Sequence, residues 1–159
     1  KTAPDYLNLA KSSYDKSYLI DAVNYISLAK QCLRPANDYF QYQKEKEIND
    51  FYDKVMMEVN SKFTFPLALE NIDTKPKVFR VFPEMMNEGF FPMVYYLSSI
   101  NLNETKALKI ENEKVKKEVG RLFTGIDKDK KFVFYWAFNE IPDGKKLVEH
   151  YGFIDKRTE

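Results

Sequence analysis

Two short amphipathic segments near the start of the chain constrain its fold more than any other feature. Apolar residues recur at a period of 3.6 in residues 5–14 and again in residues 17–33, with a short connection at 15–17. The second segment carries Ala22 and Ala29. Small residues where two helices cross let the backbones approach, while large residues fill the gaps beside them. The spacing therefore predicts a helical hairpin with these two alanines at the crossing.

The composition is that of a folded chain. Of the 159 residues, 44% are hydrophobic, 16% aromatic and 31% charged, which predicts a soluble domain with an apolar interior and a charged exterior. Lys and Arg number 25 against 24 Asp and Glu, so the net charge of +1 gives no reason to expect nucleic acid or an anionic membrane as a partner. The sequence contains no run of about twenty apolar residues, so we expect no membrane span. The chain begins at Lys1, which is compatible with a trimmed or a processed N-terminus, and both a cytoplasmic and an exported location remain open.

The middle of the chain predicts a third helix followed by short strands. Residues 36–60 have the pattern of a longer amphipathic helix, and prolines at intervals interrupt helical patterns after it. Runs rich in Val, Phe and Tyr then predict strands at 63–69, 78–82 and 93–100, the last of which could also be helical. The Asn87-Glu88-Gly89 segment fits a turn between two of these strands.

A helix and a strand are predicted next. Residues 104–124 predict a helix whose single apolar face is formed by Leu108, Val115, Val119 and Leu122. The charged residues between them, including Glu111, are expected in solvent. Residues 132–138 are consecutively apolar and predict a strand buried on both faces. We therefore expect Trp136 in the core, with its indole N–H hydrogen-bonded.

The last segment predicts a short helix. Asp143 is placed to cap a helix that runs to Tyr151, and Gly152 is placed to end it in a left-handed conformation. Helices first and mixed elements afterwards favour the α+β class. We predict a single domain over residues 1–159, with a helical part at 1–61 (hairpin plus long helix) and a mixed strand and helix part at 62–159.

Residues with reactive side chains are few. Cys32, the only cysteine, lies on the apolar side of the second predicted helix, which favours a buried thiol over a nucleophile. His150, the only histidine, has no partner at the spacing of a zinc site and is expected to be a partly exposed helix residue; a role in proton transfer is the alternative. We therefore predict no catalytic residue, no metal site and no cofactor.

Aromatic clusters provide the candidate binding residues. The chain has 13 Phe, 11 Tyr and one Trp, and two clusters, at residues 39–42 and 90–96, could form a surface for a peptide or a carbohydrate. The candidate binding residues are Tyr39, Tyr42, Tyr95 and Tyr96. The alternative is that these rings fill the core, which is the commoner role of such clusters.

Residues 4–35 resemble one tetratricopeptide repeat. The positions that match the aromatic, leucine, small and alanine pattern of that family are Tyr6, Leu9, Ala10, Tyr14, Ala22, Ile26 and Ala29. Tyr14 is displaced by one residue, and Pro35 lies one position late. Because no second repeat follows at a shift of about 34 residues, a lone hairpin in an unrelated helical domain is the alternative.

Residues 92–155 resemble the Gcn5-related acetyltransferases in the order of their predicted elements, which ends in Gly152-Phe153. The resemblance implies a cofactor pyrophosphate held on backbone amides at the start of helix 104–124. Two typical elements differ: Asn103–Lys109 contains no glycine, and Val148 stands where the family often has a general-acid tyrosine. The resemblance therefore implies a degenerate domain without acetyl-transfer activity.

Two functions follow as expectations. The first is non-catalytic binding of a protein or peptide partner, with an aromatic-lined groove beside the first hairpin. The alternative is a degenerate acyltransferase-like domain that binds an acyl-coenzyme A or a similar ligand. The alternative is favoured if the strands at 93–102 and 132–138 are parallel and splay apart, with helix 104–124 directing its N-terminus into the gap.

Overall fold

The computed structural model describes residues 1–33, 42 and 44–157 and confirms the α+β class. The chain forms two compact units. Unit 1 comprises Lys1–Phe63 together with Phe123–Gly125, and unit 2 comprises Thr64–Leu122 together with Ile126–Glu159.

Three helices form most of unit 1: α1 (Ala3–Asp15), α2 (Leu19–Gln31) and α3 (Glu45–Lys62). α1 begins at a capping box, in which the Thr2 hydroxyl accepts a hydrogen bond from the Asp5 N–H and the Asp5 carboxylate accepts one from the Thr2 N–H. The predicted hairpin is confirmed, and both Ala22 and Ala29 are fully buried. One apolar cluster combines residues of all three helices and of the turn after α2: Ala3, Leu7, Ala10, Ile26, Ala29, Leu33 and Ile48.

Two expectations for this part of the chain are wrong. α3 begins at Glu45 and not at residue 36, because Lys44 precedes it in a left-handed conformation with φ of 62°. The residues of the predicted helix at 36–41 and 43 lie outside the described residues. Cys32 is exposed and not buried, because α2 ends at Gln31 and Cys32 already belongs to the turn that follows.

A five-stranded sheet forms the centre of unit 2, with the strand order β1-β2-β3-β4-β5. The strands are β1 (Leu67–Ala68), β2 (Lys77–Met86), β3 (Gly89–Leu97), β4 (Phe132–Phe138) and β5 (His150–Lys156). The predicted turn at Asn87-Glu88-Gly89 joins β2 to β3, and Gly89 has the positive φ of 129° that glycine tolerates. All neighbouring strands are antiparallel except β3 and β4.

The parallel pair β3 and β4 is connected through α4 (Thr105–Leu122). The two strands are paired from Met93 with Phe134 to Leu97 with Phe138. The Ser98 N–H then donates a 2.8 Å hydrogen bond to the Phe138 carbonyl. The two strands therefore stay hydrogen-bonded to each other as far as their carboxyl ends and do not splay apart there.

α4 covers one face of the sheet. Its buried residues are Leu108, Glu111, Asn112, Val115 and Val119. The Asn112 side chain donates to the Tyr96 hydroxyl at 3.1 Å, which places Tyr96 and its sheet neighbours under the helix.

Glu111 corrects the expectation of a solvated charged stretch on α4. The carboxylate is 3% exposed because it lies three residues after Leu108, on the same side of the helix. It accepts hydrogen bonds from the hydroxyls of Ser98, at 2.6 Å, and Thr74. These two hydroxyls replace the water that a surface carboxylate would bind.

The predicted helix from Asp143 to Tyr151 is also wrong. Residues 139–149 form an irregular connection, and the segment that contains Gly152 is strand β5. The Asp143 carboxylate accepts the Lys145 N–H at 2.9 Å, and Gly144 has φ of 79°, so a local turn replaces the helix start. Leu147 is 99% exposed and Ile141 47% exposed, so neither side chain gives a helix here a buried apolar face.

We expect the free energy of unfolding to fall steeply above about pH 10. Burial raises the pKa of both Tyr96 and Tyr135 far above the value of an exposed tyrosine, at which they ionise in the unfolded chain. Because the folded pKa is the higher one, the stabilisation is complete below about pH 10 and is lost above it, by about 1.4 kcal/mol per pH unit for each tyrosine. Denaturant unfolding between about pH 9 and 11 measures this slope. Tyr135→Phe should reduce it, and an unchanged slope would show that Tyr135 ionises freely in the folded protein.

Candidate functional site

The face of the sheet opposite α4 carries a cluster of aromatic side chains. Cross-strand partners project to the same side, so the register of the strands defines this surface. We call it the aromatic face; its residues on β2 and β3 are Arg80, Phe82, Glu84, Met86, Phe91, Met93 and Tyr95. Its residues on β4 and β5 are Phe132, Phe134, Trp136, Phe138, His150, Gly152, Ile154 and Lys156.

The rings of Tyr95, Trp136 and His150 form a stack across the aromatic face. The Tyr95 and Trp136 ring centroids are 5.2 Å apart with an interplanar angle of 10°, and Trp136 and His150 are 3.7 Å apart at 11°. Gly152 makes room for this arrangement, because a Cβ atom there would lie 3.3 Å from the Trp136 Nε1 atom. Partial burial of the ring lowers the pKa of His150, which favours the neutral form of the imidazole.

Two apolar cavities lie side by side on the aromatic face. One has a volume of about 600 Å³ and reaches from the β2–β3 turn to Lys156; the other has about 530 Å³ and reaches from Arg80 to Gly152. Both are lined by Met86, Phe134 and Ile154, so they form one continuous groove. The floor includes the buried residues Phe91, Met93 and Phe134. Met86 is 46% exposed and Ile154 55% exposed, so apolar area remains in contact with solvent.

A β-bulge brings a cation to one end of the groove. The register between β2 and β3 shifts between Val78 and Arg80, so Phe79 is the extra residue and Arg80 pairs with Tyr95. The Arg80 guanidinium carbon lies 4.3 Å from the Phe82 ring centroid and 5.9 Å from that of Tyr95. Burial raises the pKa of the Tyr95 hydroxyl, which therefore remains a hydrogen-bond donor at neutral pH.

Trp136 is half-buried, which corrects the expectation that it lies in the core. Neighbouring residues of β4 face opposite sides of the sheet, and α4 covers only the side of Val133, Tyr135 and Ala137. The Trp136 indole N–H has no hydrogen-bond partner within the part of the chain that the structure describes. It is therefore available to a ligand in the groove.

The candidate binding tyrosines occupy different environments. Tyr95 lies on the aromatic face, whereas its neighbour Tyr96 is fully buried beneath α4 and hydrogen-bonded to Asn112. Tyr42 belongs to unit 1, where it is half-buried against the apolar cluster. Tyr39 lies outside the described residues. Tyr96 is thus part of the core of unit 2, whereas Tyr42 keeps part of its side chain exposed.

Several residues of the groove were not identified from the sequence. Arg80, Phe82 and Ile154 come from strands β2 and β5, and only the register of the sheet brings them beside Tyr95 and Trp136. One sequence signal could have indicated an aromatic face. Every second residue of β4 is aromatic: Phe132, Phe134, Trp136 and Phe138. No comparable signal marks the bulge at Phe79.

Within the described ranges 1–33 and 44–157, His, Cys, Asp and Glu side chains do not come together in groups of three or more that could hold a metal ion. None of the described helices combines the length and apolar character needed to cross a membrane. No protein-family model matches the chain, and no curated protein or solved structure is significantly similar to it.

Proposed function

We propose that the protein is a non-catalytic binding protein and that a peptide segment of a partner occupies the groove on its aromatic face. The observation that supports this proposal is the continuous apolar groove across a sheet face that α4 leaves uncovered. Exposed apolar surface of this kind is costly to keep in water and commonly marks an interaction site.

The dimensions and lining of the groove favour a peptide. β4 has seven residues and is therefore about 20 Å long, which matches about six residues of an extended chain. The aromatic and aliphatic lining suits apolar side chains, and the charged groups Arg80, Glu84 and Lys156 offer polar contacts to a backbone or to charged side chains. Peptide recognition thus uses both properties of the groove.

The proposal is tested with a displayed library of random dodecapeptides, followed by titration of a synthetic binder. Ile154→Lys places a charge on the aromatic face, and Ile110→Lys is its matched control, since Ile110 is 63% exposed on α4. We expect Ile154→Lys to weaken binding at least about ten-fold and Ile110→Lys to change it less than about two-fold. The fluorescence of Trp136, the one tryptophan of the chain, should change on binding.

Two results would contradict the proposal. One is a library without any binder. The other is a binder whose affinity is the same for wild-type protein and Ile154→Lys, and whose amide chemical-shift changes fall on α4 or on unit 1.

The acyltransferase-like alternative has one structural observation in its favour. β3 and β4 are parallel and are connected through α4, as that alternative requires. However, the two strands stay hydrogen-bonded to each other as far as their carboxyl ends. The gap between them that would receive the N-terminus of α4 is therefore missing at that point. This alternative would be favoured over peptide binding if acetyl-coenzyme A raised the Tm of the protein more than acetate alone does.

A further inference from the structure

We propose that the cavity beside Arg80 holds the free carboxyl terminus of the bound peptide, with a large apolar last residue in the cavity itself. This inference rests on the proposed function and specifies which part of a partner the groove recognises. Three groups at one end of the groove carry it: the Arg80 guanidinium, the Tyr95 hydroxyl and the Trp136 indole N–H.

All three groups are hydrogen-bond donors without an acceptor among the described residues. Arg80 forms no ion pair there, and its contacts are the rings of Phe82 and Tyr95. A guanidinium that lies over two rings loses rotational freedom and keeps its N–H groups available for an anion. Tyr95 and Trp136 are stacked on each other, which fixes the position of the other two donors.

The bulge in β2 is the feature that builds this end of the groove. If β2 paired regularly with β3 after Val78, Phe79 would lie opposite Tyr95, and Arg80 would lie opposite Val94 on the side of α4. The bulge instead places Arg80 on the aromatic face, while the Phe79 ring still contacts Tyr95 at 6.0 Å and Phe138 at 5.6 Å. A cation is thus held beside the rings of Phe82 and Tyr95 at one end of the groove.

The charge at the other end of the same cavity sets the direction of the ligand. Glu84 also lines the cavity and is half-buried, and it pairs with Phe91, four residues along β3 from Tyr95. Four residues of a strand span about 13 Å along the backbone, so Glu84 lies toward the opposite end of the cavity from Arg80. We therefore expect the peptide to lie with its carboxyl terminus at Arg80 and its preceding residues toward Glu84 and Met86.

The floor of the cavity explains the preference for an apolar last residue. Met93 and Phe134 are buried beneath it, and Phe82 and Ile154 line its sides. A volume of about 530 Å³ accommodates a side chain as large as that of Leu or Phe together with the terminal carboxylate. Arginine binds a carboxylate through two parallel hydrogen bonds, which combines charge with a defined orientation.

The test uses two libraries of random hexapeptides with a fluorescent label at the amino terminus, one with free carboxylates and one with carboxamides. For the tightest carboxylate peptide, we expect its carboxamide to bind wild-type protein at least about ten-fold more weakly. In Arg80→Gln, the carboxylate and the carboxamide should bind within about two-fold of each other. Lys114→Gln, which removes an exposed cation on α4, is the control and should keep the ten-fold preference. Thermal unfolding of each variant shows whether it is folded, and Arg80→Lys gives a second, milder variant with an intermediate preference.

Each other outcome overturns the inference in a distinguishable way. In one outcome, peptides bind the wild-type groove, bind Ile154→Lys more weakly, and show no preference for the carboxylate. That result would support the proposed function and refute the carboxyl-terminal site. If dodecanoate binds with an Arg80 dependence and no peptide does, the site takes a free fatty acid and both proposals are wrong. If neither the peptides nor dodecanoate bind, both proposals are wrong as well.

Discussion

Replacement of Gly125 by alanine should destabilise the protein by at least about 3 kcal/mol, because two costs add at this position. Gly125 has φ of 90°, a backbone conformation that costs an L-residue about 1–2 kcal/mol. In addition, the new Cβ atom would lie 2.2 Å from the Tyr18 Cγ atom, so the ring or the loop must move. Thermal unfolding should show a decrease in Tm of about 6–12 °C for a chain of this size.

Two control variants separate these costs. Gly144→Ala also introduces a side chain at positive φ, but no atom of the described residues lies within 4 Å of its Cβ, so we expect a loss of only about 1 kcal/mol. In a Tyr18→Ala background, Gly125→Ala should likewise cost about 1 kcal/mol, because the clash is gone. Equal costs for Gly125→Ala with and without the Tyr18 ring would show that the two residues are not in contact.

Tyr135→Ala should cost about 3–5 kcal/mol of folding free energy. Tyr135 is 1% exposed and lies on the face of β4 that α4 covers, so truncation leaves a large cavity in the core of unit 2. Denaturant unfolding, with the midpoint and the slope measured together, gives the change in free energy.

Phe132→Ala is the matched control on the same strand. Phe132 is half-buried on the aromatic face, where removal of the ring leaves a solvent-filled space, and we expect less than half of the cost of Tyr135→Ala. The reverse order of the two costs would mean that the aromatic face, and not the face under α4, is the structural core. The groove would then be an unsuitable binding site.

The elements that were predicted correctly depend on local periodicity. α4 and β4 lie within two residues of their predicted bounds, since one has apolar residues every three to four positions and the other is consecutively apolar. The segment from Asp143 to Tyr151 shows the limit of this reasoning. It carries a capping residue and a terminal glycine, but its Leu147 side chain remains in solvent and therefore does not stabilise a helix by burial.

The candidate site was predictable only in part for the same reason. Period-2 alternation indicates that the adjacent residues Tyr95 and Tyr96 face opposite sides of a strand. Which side is covered depends on the position of α4, and the sequence of β3 alone does not determine it. Arg80 depends in addition on a one-residue bulge, and Ile154 on a strand that was expected to be a different element.

Phe123–Gly125 belongs to unit 1 although most of unit 2 lies before it in the sequence. This arrangement affects the order in which the protein can fold during its synthesis. The Phe123 ring meets the Phe63 ring edge-on at 5.1 Å, yet the ribosome must first add all of Thr64–Leu122 before this partner exists. Domains usually fold from the N-terminus as they emerge, and contacts that are distant in sequence slow that process. A nascent chain that stops before Phe123 therefore holds three helices whose packing is unfinished, and unit 1 is completed only after β1 to β3 and α4 have left the ribosome.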